Sequence, residues 1–288
     1  MTANAKNGFL LSNGRWQNHY LKDPISVLVV NLMPTKEVTE RQFLESFNNL
    51  NQDIEFTFLY LATHHFKNIS YSAIAKAYAS LDDVESSSFD GLIITGAPVE
   101  QLNFHQVDYW EEFRTICDWA KRHTKQSLLE CWAALGGLYN DYQLNKQQLP
   151  QKLFGIYQAT SINEHNRLSH NFHAIKIPQS RHSTPVIDPN NLPDDLEVIA
   201  TNKQIGPLIY YSPSNHRTYI TGHPEYESDT LAKEYYRDLK KRLPIQEPHN
   251  YFANVETGKV NYSWQQSSIQ IYQNWLNTFA QQKVGTLV

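Results

Sequence analysis

The sequence predicts an α/β fold: a mostly parallel central sheet with helices on both faces, carrying hairpin insertions. Three observations predict it. Apolar runs of strand length, as in Ile25 to Met33 (ISVLVVNLM), lack the polar alternation of a half-exposed strand. Runs of this kind alternate with amphipathic stretches in the order strand, helix, strand, helix, strand. Finally, 288 residues with 41% apolar content suffice for a core that needs no cross-links.

The elements follow in order. Pro34 ends the Val-rich run that starts at Ile25, and Val38, Phe43, Leu44 and Phe47 fall at spacings suited to a helix over 37–49 that packs on the sheet. Ile54 to Leu61 reads as a second strand and Ser72 to Tyr78 as a short helix. Residues 90–95 (DGLIIT) form a third strand, closed by the turn Gly96-Ala97-Pro98. Trp110, Phe113, Ile116, Cys117 and Ala120 recur at helical spacing and predict a helix over 108–122. The strand Ser127 to Glu130 runs into a second helical stretch at Trp132. Between 151 and 220, the short runs LEVIA (196–200), PLIYY (207–211) and TYIT (218–221) predict hairpins and the last strand of the main sheet. Residues 229–242 and Gln265 to Phe279 are helical by pattern. No repeat or linker divides the chain, so residues 1–24 read as an N-terminal extension and 25–288 as one α/β domain.

Composition narrows the function classes. Lys plus Arg is 25 and Asp plus Glu is 29, a net charge of -4, which argues against a nucleic-acid partner. Charged residues at 19% fall well short of a disordered composition. No apolar stretch reaches membrane-spanning length, and MTANAKNGFLL lacks both a basic n-region and an apolar h-region. The two cysteines build neither a disulfide framework nor a four-cysteine metal site. A cytoplasmic protein without membrane association is therefore expected. His64-His65 and His170 to His173 follow no recognised zinc spacing, so no metal and no cofactor are expected.

The chemistry-bearing residues stand at strand ends. Cys131 sits at a strand-to-helix turn, where unpaired helix N-terminal amides favour a thiolate and can hold an oxyanion. Open α/β sheets place their sites at such carboxyl ends. Cys117 lies mid-helix on an apolar stripe and reads as structural. In Thr221-Gly222-His223-Pro224-Glu225-Tyr226, Gly222 permits a turn at the end of a strand. Pro224 disfavours a helical His223, and Glu225 projects on the same side as the imidazole in extended backbone. Nucleophile, base and orienting carboxylate are the parts of a covalent acyl-transfer site. Position alone leaves a bland alternative open: Cys131 as a small buried hydrophobe, His223 as a turn histidine and Glu225 as a surface acid. Glu234 and Arg237, three apart on a helix, suit an ion pair; alternatively Arg237 holds a substrate carboxylate.

Segments along most of the chain, from about 25 to 280, resemble the homoserine O-succinyltransferase and O-acetyltransferase family of methionine biosynthesis. They are NLMPTKEVTERQFL (31–44), TGAPVE (95–100), VDYW (107–110), LLECWAA (128–134), KLFGIY (152–157), TGHPEYESDTLAKEYYRD (221–238) and NWLN (274–277). The resemblance implies a class I glutamine amidotransferase-like, flavodoxin-like fold and a metal-free ping-pong reaction. In it, an acyl group passes from an acyl-CoA to a cysteine and then to an amino-acid hydroxyl. It implies Cys131 as nucleophile, His223 as general base and Glu225 as its orienting acid. It also implies substrate contacts from Lys152, Ser180 and Arg237, support from Glu234, and Lys36 near the substrate entrance.

Glu100 occupies the position that goes with acetyl-CoA in this family, where glycine goes with succinyl-CoA. Acetyl-CoA is thus the expected cosubstrate and L-homoserine the expected acceptor, with L-serine as the alternative acceptor and succinyl as the alternative donor. A homodimer is expected by resemblance alone. Three departures from the family pattern are expected near the acceptor: Leu135 with Gly136-Gly137, Gln179 in Pro178-Gln179-Ser180-Arg181, and a short N-terminal segment. A glutamine amidotransferase would show glycines beside its cysteine, whereas Glu130 and Trp132 flank Cys131. A non-catalytic metabolite-binding protein would use Arg237 and Lys152 alone.

Overall fold

The computed structural model describes residues 2–188 and 191–279. Its strands are β1 (Ala3–Ala5), β2 (Ile25–Val30), β3 (Ile54–Leu59), β4 (Phe89–Ile94), β5 (Thr124–Glu130), β6 (Lys146–Gln158), β7 (Ser161–Ile162), β8 (Lys176–Pro185), β9 (Glu197–Asn202), β10 (Gly206–Ser212), β11 (Arg217–Ile220), β12 (Phe252–Asn254) and β13 (Lys259–Val260). Its helices are α1 (Phe9–Ser12), α2 (Lys36–Phe47), α3 (Tyr71–Ala77), α4 (Leu81–Val84), α5 (Trp110–His123), α6 (Trp132–Tyr142), α7 (Thr230–Lys240) and α8 (Gln265–Asn277).

The main sheet runs β1-β3-β2-β4-β5-β11-β10-β9-β7. From β1 to β11 every neighbouring pair is parallel, and the pairs from β11 to β7 are antiparallel. Strand β2 shows why these runs lack polar alternation. Val27 and Val29 join the core on one face, while Leu28 and Val30 join the core on the other. Both faces are covered, so both sets of alternating side chains must be apolar.

Helices α2 and α8 cover the first face, where Phe43, Phe47, Phe56 and Tyr272 pack edge to face or tilted. Helices α5 and α6 cover the second with Trp110, Phe113 and Trp132. A third cluster, including Phe154, Tyr226, Leu231, Tyr251 and Trp264, joins the β6–β8 hairpin to α7.

The predicted main-sheet strands and long helices appear with boundaries shifted by a few residues. Among the elements not predicted, two bear most on the architecture. Strand β1 pairs Ala3 with Ile54 and extends the sheet edge. Three residues carry no periodic signal; β1 is held by its partner, and by Glu40, whose carboxylate accepts the Phe9 and Leu10 amides just beyond it. The second is the long hairpin of β6 and β8, which begins in the polar stretch KQQLPQK. Residues 280–288, counted with the domain on sequence, lie outside the described residues.

Candidate active site

The carboxyl ends of β2, β4, β5 and β11 converge on a cavity of about 470 Å³. Met33 and Pro34 follow β2 into its wall, Ala97, Pro98 and Glu100 follow β4, Cys131 follows β5 and His223 follows β11. Lys152 and Ser180 reach it from the hairpin, and Glu234, Arg237 and Asp238 from α7. A larger groove of about 690 Å³ lies alongside and shares Lys152, but Cys131 and His223 do not line it.

Cys131 occupies the bend between β5 and α6 with φ 51° and ψ -114°. A non-glycine residue at positive φ stores roughly 1–3 kcal/mol of strain, which the surrounding sheet must hold. Here the Cys131 amide donates to the Ile220 carbonyl at 2.8 Å, tying the bend to the end of β11. The first amides of α6 have no carbonyl within the helix to receive them, and Cys131 holds the N-cap position before them.

Two close approaches shape the pair. A Cβ on Gly96 would lie 3.0 Å from His223 Cε1 and 3.1 Å from Cys131 Cβ, so the bare backbone after β4 seats against both side chains. At Gly222 a Cβ would lie 2.3 Å from both the Pro178 carbonyl oxygen and Gln179 Nε2. Strand β8 therefore crosses directly over the turn, and the His223 amide donates to Pro178 O at 2.9 Å.

The imidazole Nδ1 meets Glu225 Oε1 at 2.8 Å, and all three side chains are buried. The other ring nitrogen is left for the Cys131 thiol, whose charge acts on the ring. Burial alone would lower the imidazole pKa. Cys131 and Glu225 overcome that and raise it well above the usual histidine range.

A second network holds the wall opposite. Glu234 accepts from Ser180 Oγ at 2.6 Å and Lys152 Nζ at 3.0 Å through one oxygen, and from Tyr226 Oη at 2.8 Å through the other. Burial pushes the Glu234 carboxyl up, but these partners, Lys152 foremost, bring it below the ordinary value. Lys152 Nζ also stands 4.3 Å from the centre of the Phe154 ring and 3.8 Å from Asp238. Glu100 Oε1 accepts the His182 amide at 2.8 Å at the cavity edge, and burial raises its carboxyl pKa.

Most of the residues singled out in the sequence thus share one cavity, with corrections. Arg237 borders it with a half-exposed side chain, but pairs with Asp238 at 2.7 Å and not with Glu234, which faces Lys152. Lys36 stands apart. It is buried at the start of α2, donates to the Asn31 carbonyl at 2.5 Å, and lines a separate pocket with Phe9 and Ile69. Burial lowers its pKa to about 8. Leu135, Gly136 and Gly137 also lie away from the cavity: Leu135 is core, Gly136 meets Phe113, and Gly137 meets Leu129 and Tyr219. Of the expected departures, the Pro178–Arg181 segment does reach the site. Gln179 Oε1 accepts from Arg181 Nε at 2.8 Å, fixing a buried guanidinium whose charge acts on Cys131.

Sequence reasoning missed Arg181 and Tyr226 as site residues. Each adjoins a residue it did select, and only the fold reveals the contact. Among the described residues, no group of three or more His, Cys, Asp or Glu side chains is arranged to hold a metal ion, and no helix is long and apolar enough to cross a membrane.

Comparison with known proteins agrees with this architecture. The chain is 40% identical over 275 residues to "Homoserine O-acetyltransferase" of Lactococcus lactis subsp. cremoris, covering 95% of this chain and 86% of that protein. It is 36% identical over 262 residues to the protein of the same name in Bacillus subtilis, covering 90% and 87%. A glutamine amidotransferase structure from Thermotoga maritima superposes with a TM-score of 0.60 at 10% identity, covering 90% of this chain and all (100%) of that one. A putative GMP synthase component from Thermoplasma acidophilum gives 0.56 at 13% identity, covering 93% and 98%, so the fold is that of the class I glutamine amidotransferases. The family model described as "Homoserine O-succinyltransferase" matches residues 2–286, and the chain belongs to this homoserine O-succinyltransferase and O-acetyltransferase family of acyl-transferring enzymes.

Proposed function

We propose that the protein transfers an acetyl group from acetyl-CoA to the side-chain hydroxyl of L-homoserine through an acyl thioester on Cys131. The observation that carries this reading is a bend cysteine and an imidazole seated against the same Gly96 backbone, with the imidazole Nδ1 held by a carboxylate, in a chain akin to homoserine O-acetyltransferases.

In the first half-reaction the Cys131 thiolate attacks the thioester carbonyl carbon. The helix N-terminal amides of α6 stabilise the oxyanion. The tetrahedral adduct collapses with cleavage of the bond to the CoA sulfur, which leaves with the proton that His223 carries. In the second half-reaction the acceptor hydroxyl attacks the acyl-enzyme, its proton passes to His223, and the Cys131 thiolate departs.

Electrostatics suit this alternation. The thiolate is the foremost influence holding a proton on buried His223. Acylation removes that negative charge, so the imidazole becomes easier to deprotonate when it is next needed as a base.

Lys152, Ser180 and Glu234 form the polar wall that receives the amino acid, with Arg237 at the mouth for its carboxylate. Glu100 selects the donor: its side chain occupies space and carries charge where a succinyl carboxylate would have to lie, whereas an acetyl group fits.

The direct test is intact-mass measurement after mixing the protein with acetyl-CoA alone. One acetyl adduct is expected, absent in Cys131→Ala, and it should discharge on adding L-homoserine. Unimpaired O-acetylhomoserine formation by Cys131→Ala would overturn the assignment.

A further inference from the structure

Glu130, the last residue of β5, precedes the nucleophile and has no place in the reaction just described. It is fully buried. One of its oxygens, Oε1, accepts from Tyr272 Oη of α8 at 2.8 Å. The other, Oε2, receives no hydrogen bond from any donor group. Glu225 shows the complementary arrangement: Oε1 is taken by His223 Nδ1, and Oε2 is buried without a donor. The two carboxyl groups lie close enough to act on each other's charge, and each keeps one buried oxygen without a donor.

Two buried carboxylates cannot face one another unless they share a proton. One proton between the two unpartnered oxygens satisfies both. The groups that face Glu130 are Glu225 and His223 from the turn after β11, and Tyr272 from α8. The negative charge is most stable on the carboxylate next to the imidazole, which leaves the proton on Glu130.

We propose that Glu130 is a protonated carboxylic acid that positions the catalytic carboxylate, donating from Oε2 to Glu225 Oε2 while accepting from Tyr272. The side chains Tyr272, Glu130, Glu225 and His223 then form one continuous hydrogen-bonded line toward Cys131. In it Glu130 fixes the angle at which Glu225 holds the ring and touches neither substrate. This inference rests on the acyl-transfer reading of Cys131, His223 and Glu225. Burial and the neighbouring Glu225 also push the Glu130 carboxyl well above the usual carboxylate range.

The test exploits the fact that a glutamine amide has the same two capacities as a protonated acid: an N–H to donate and an oxygen to accept. Glu130→Gln is expected to retain transfer within about threefold of the parent, and Glu130→Leu to lose at least tenfold in kcat. Tyr272→Phe, which keeps the packing, is expected to fall between them. Difference infrared spectroscopy at neutral pH, on protein with no substrate added, reads the proton directly. A protonated-carboxyl C=O band should be present in the wild-type protein and missing from Glu130→Gln. Loss of activity in Glu130→Gln as deep as in Glu130→Leu would show that the charge is needed on Glu130 and would overturn the proposal. A wild-type spectrum without that band would do the same. The infrared result does not depend on which reaction is catalysed, so it can fail or succeed separately from the Cys131→Ala mass measurement.

Discussion

Tyr226 lies face to face on the imidazole of His223, with ring centroids 4.2 Å apart and planes inclined by 18°. Its hydroxyl donates to Glu234 at 2.8 Å. One aromatic ring thereby joins the imidazole proposed as general base to the wall proposed to receive the amino acid. Tyr226→Phe keeps the stacked ring and deletes one of three donors to a buried carboxylate. Hydrogen bonds to charged groups are worth about 1.5–3 kcal/mol, so kcat/KM for the acceptor should fall roughly 10- to 100-fold. Acylation of Cys131 by acetyl-CoA should proceed near the parental rate. Single-turnover measurement of each half-reaction checks this, and an equal loss in both would count against the division of labour.

Glu100 allows charge and bulk to be separated. Its carboxylate is anchored by the His182 amide at 2.8 Å, so the side chain cannot swing clear without losing that bond. Glu100→Gly removes both bulk and charge and should raise kcat/KM for succinyl-CoA by about tenfold or more, a modest fraction of what one like-charge contact costs in a partly buried site. Glu100→Gln removes only the charge and should give a smaller gain. Competition assays with the two donors would decide it, and no gain with either variant removes Glu100 from donor selection.

Lys36 supplies a stability prediction with a definite sign. Its native pKa is lowered from 10.5 to about 8 by burial, partly countered by Glu40. Between those values the unfolded chain binds a proton that the folded chain has released. Its contribution to stability therefore rises with pH from about 8 to 10.5, by at most about 1.4 kcal/mol per pH unit. Other groups titrate in the same range, so the useful quantity is the difference between wild type and Lys36→Met in urea midpoints. The wild type should gain on the variant across that window. A difference independent of pH would place the lysine's titration elsewhere.

The main sheet was legible because strands covered on both faces write continuous apolar runs, as Val27 to Val30 show. Cys131 and His223 were legible for a related reason: a parallel sheet ends its strands at one edge, and β5 and β11, which carry them, are paired neighbours. Lys36, placed near the substrate entrance by resemblance alone, instead reaches the Asn31 carbonyl beside a separate pocket, a choice of side that the motif does not record. Leu135 to Gly137 were misjudged similarly, since α6 turns them toward Phe113 and Leu129 and away from the cavity. Tyr226 and Glu130 were invisible for a different reason. A tyrosine and a glutamate beside selected residues look like neighbours along the chain, and their roles arise from partners on α7 and α8, at Glu234 and Tyr272.

Gly222 tests how far the crossing strand governs the imidazole. A methyl group there would meet the Pro178 carbonyl and Gln179 Nε2 at 2.3 Å, inside any tolerable contact, with backbone on one side of it. Gly222→Ala must push the turn away from β8 and weaken the bond from the His223 amide to Pro178 O. Overpacking of this kind costs typically about 1–3 kcal/mol. The same movement displaces the ring that shares the Gly96 backbone with Cys131, so alkylation of Cys131 by iodoacetamide at neutral pH should slow along with acyl transfer. Chemical denaturation and alkylation kinetics on one preparation separate the two effects. If Gly222→Ala loses stability yet alkylates at the parental rate, β8 buttresses the turn without setting the position of His223.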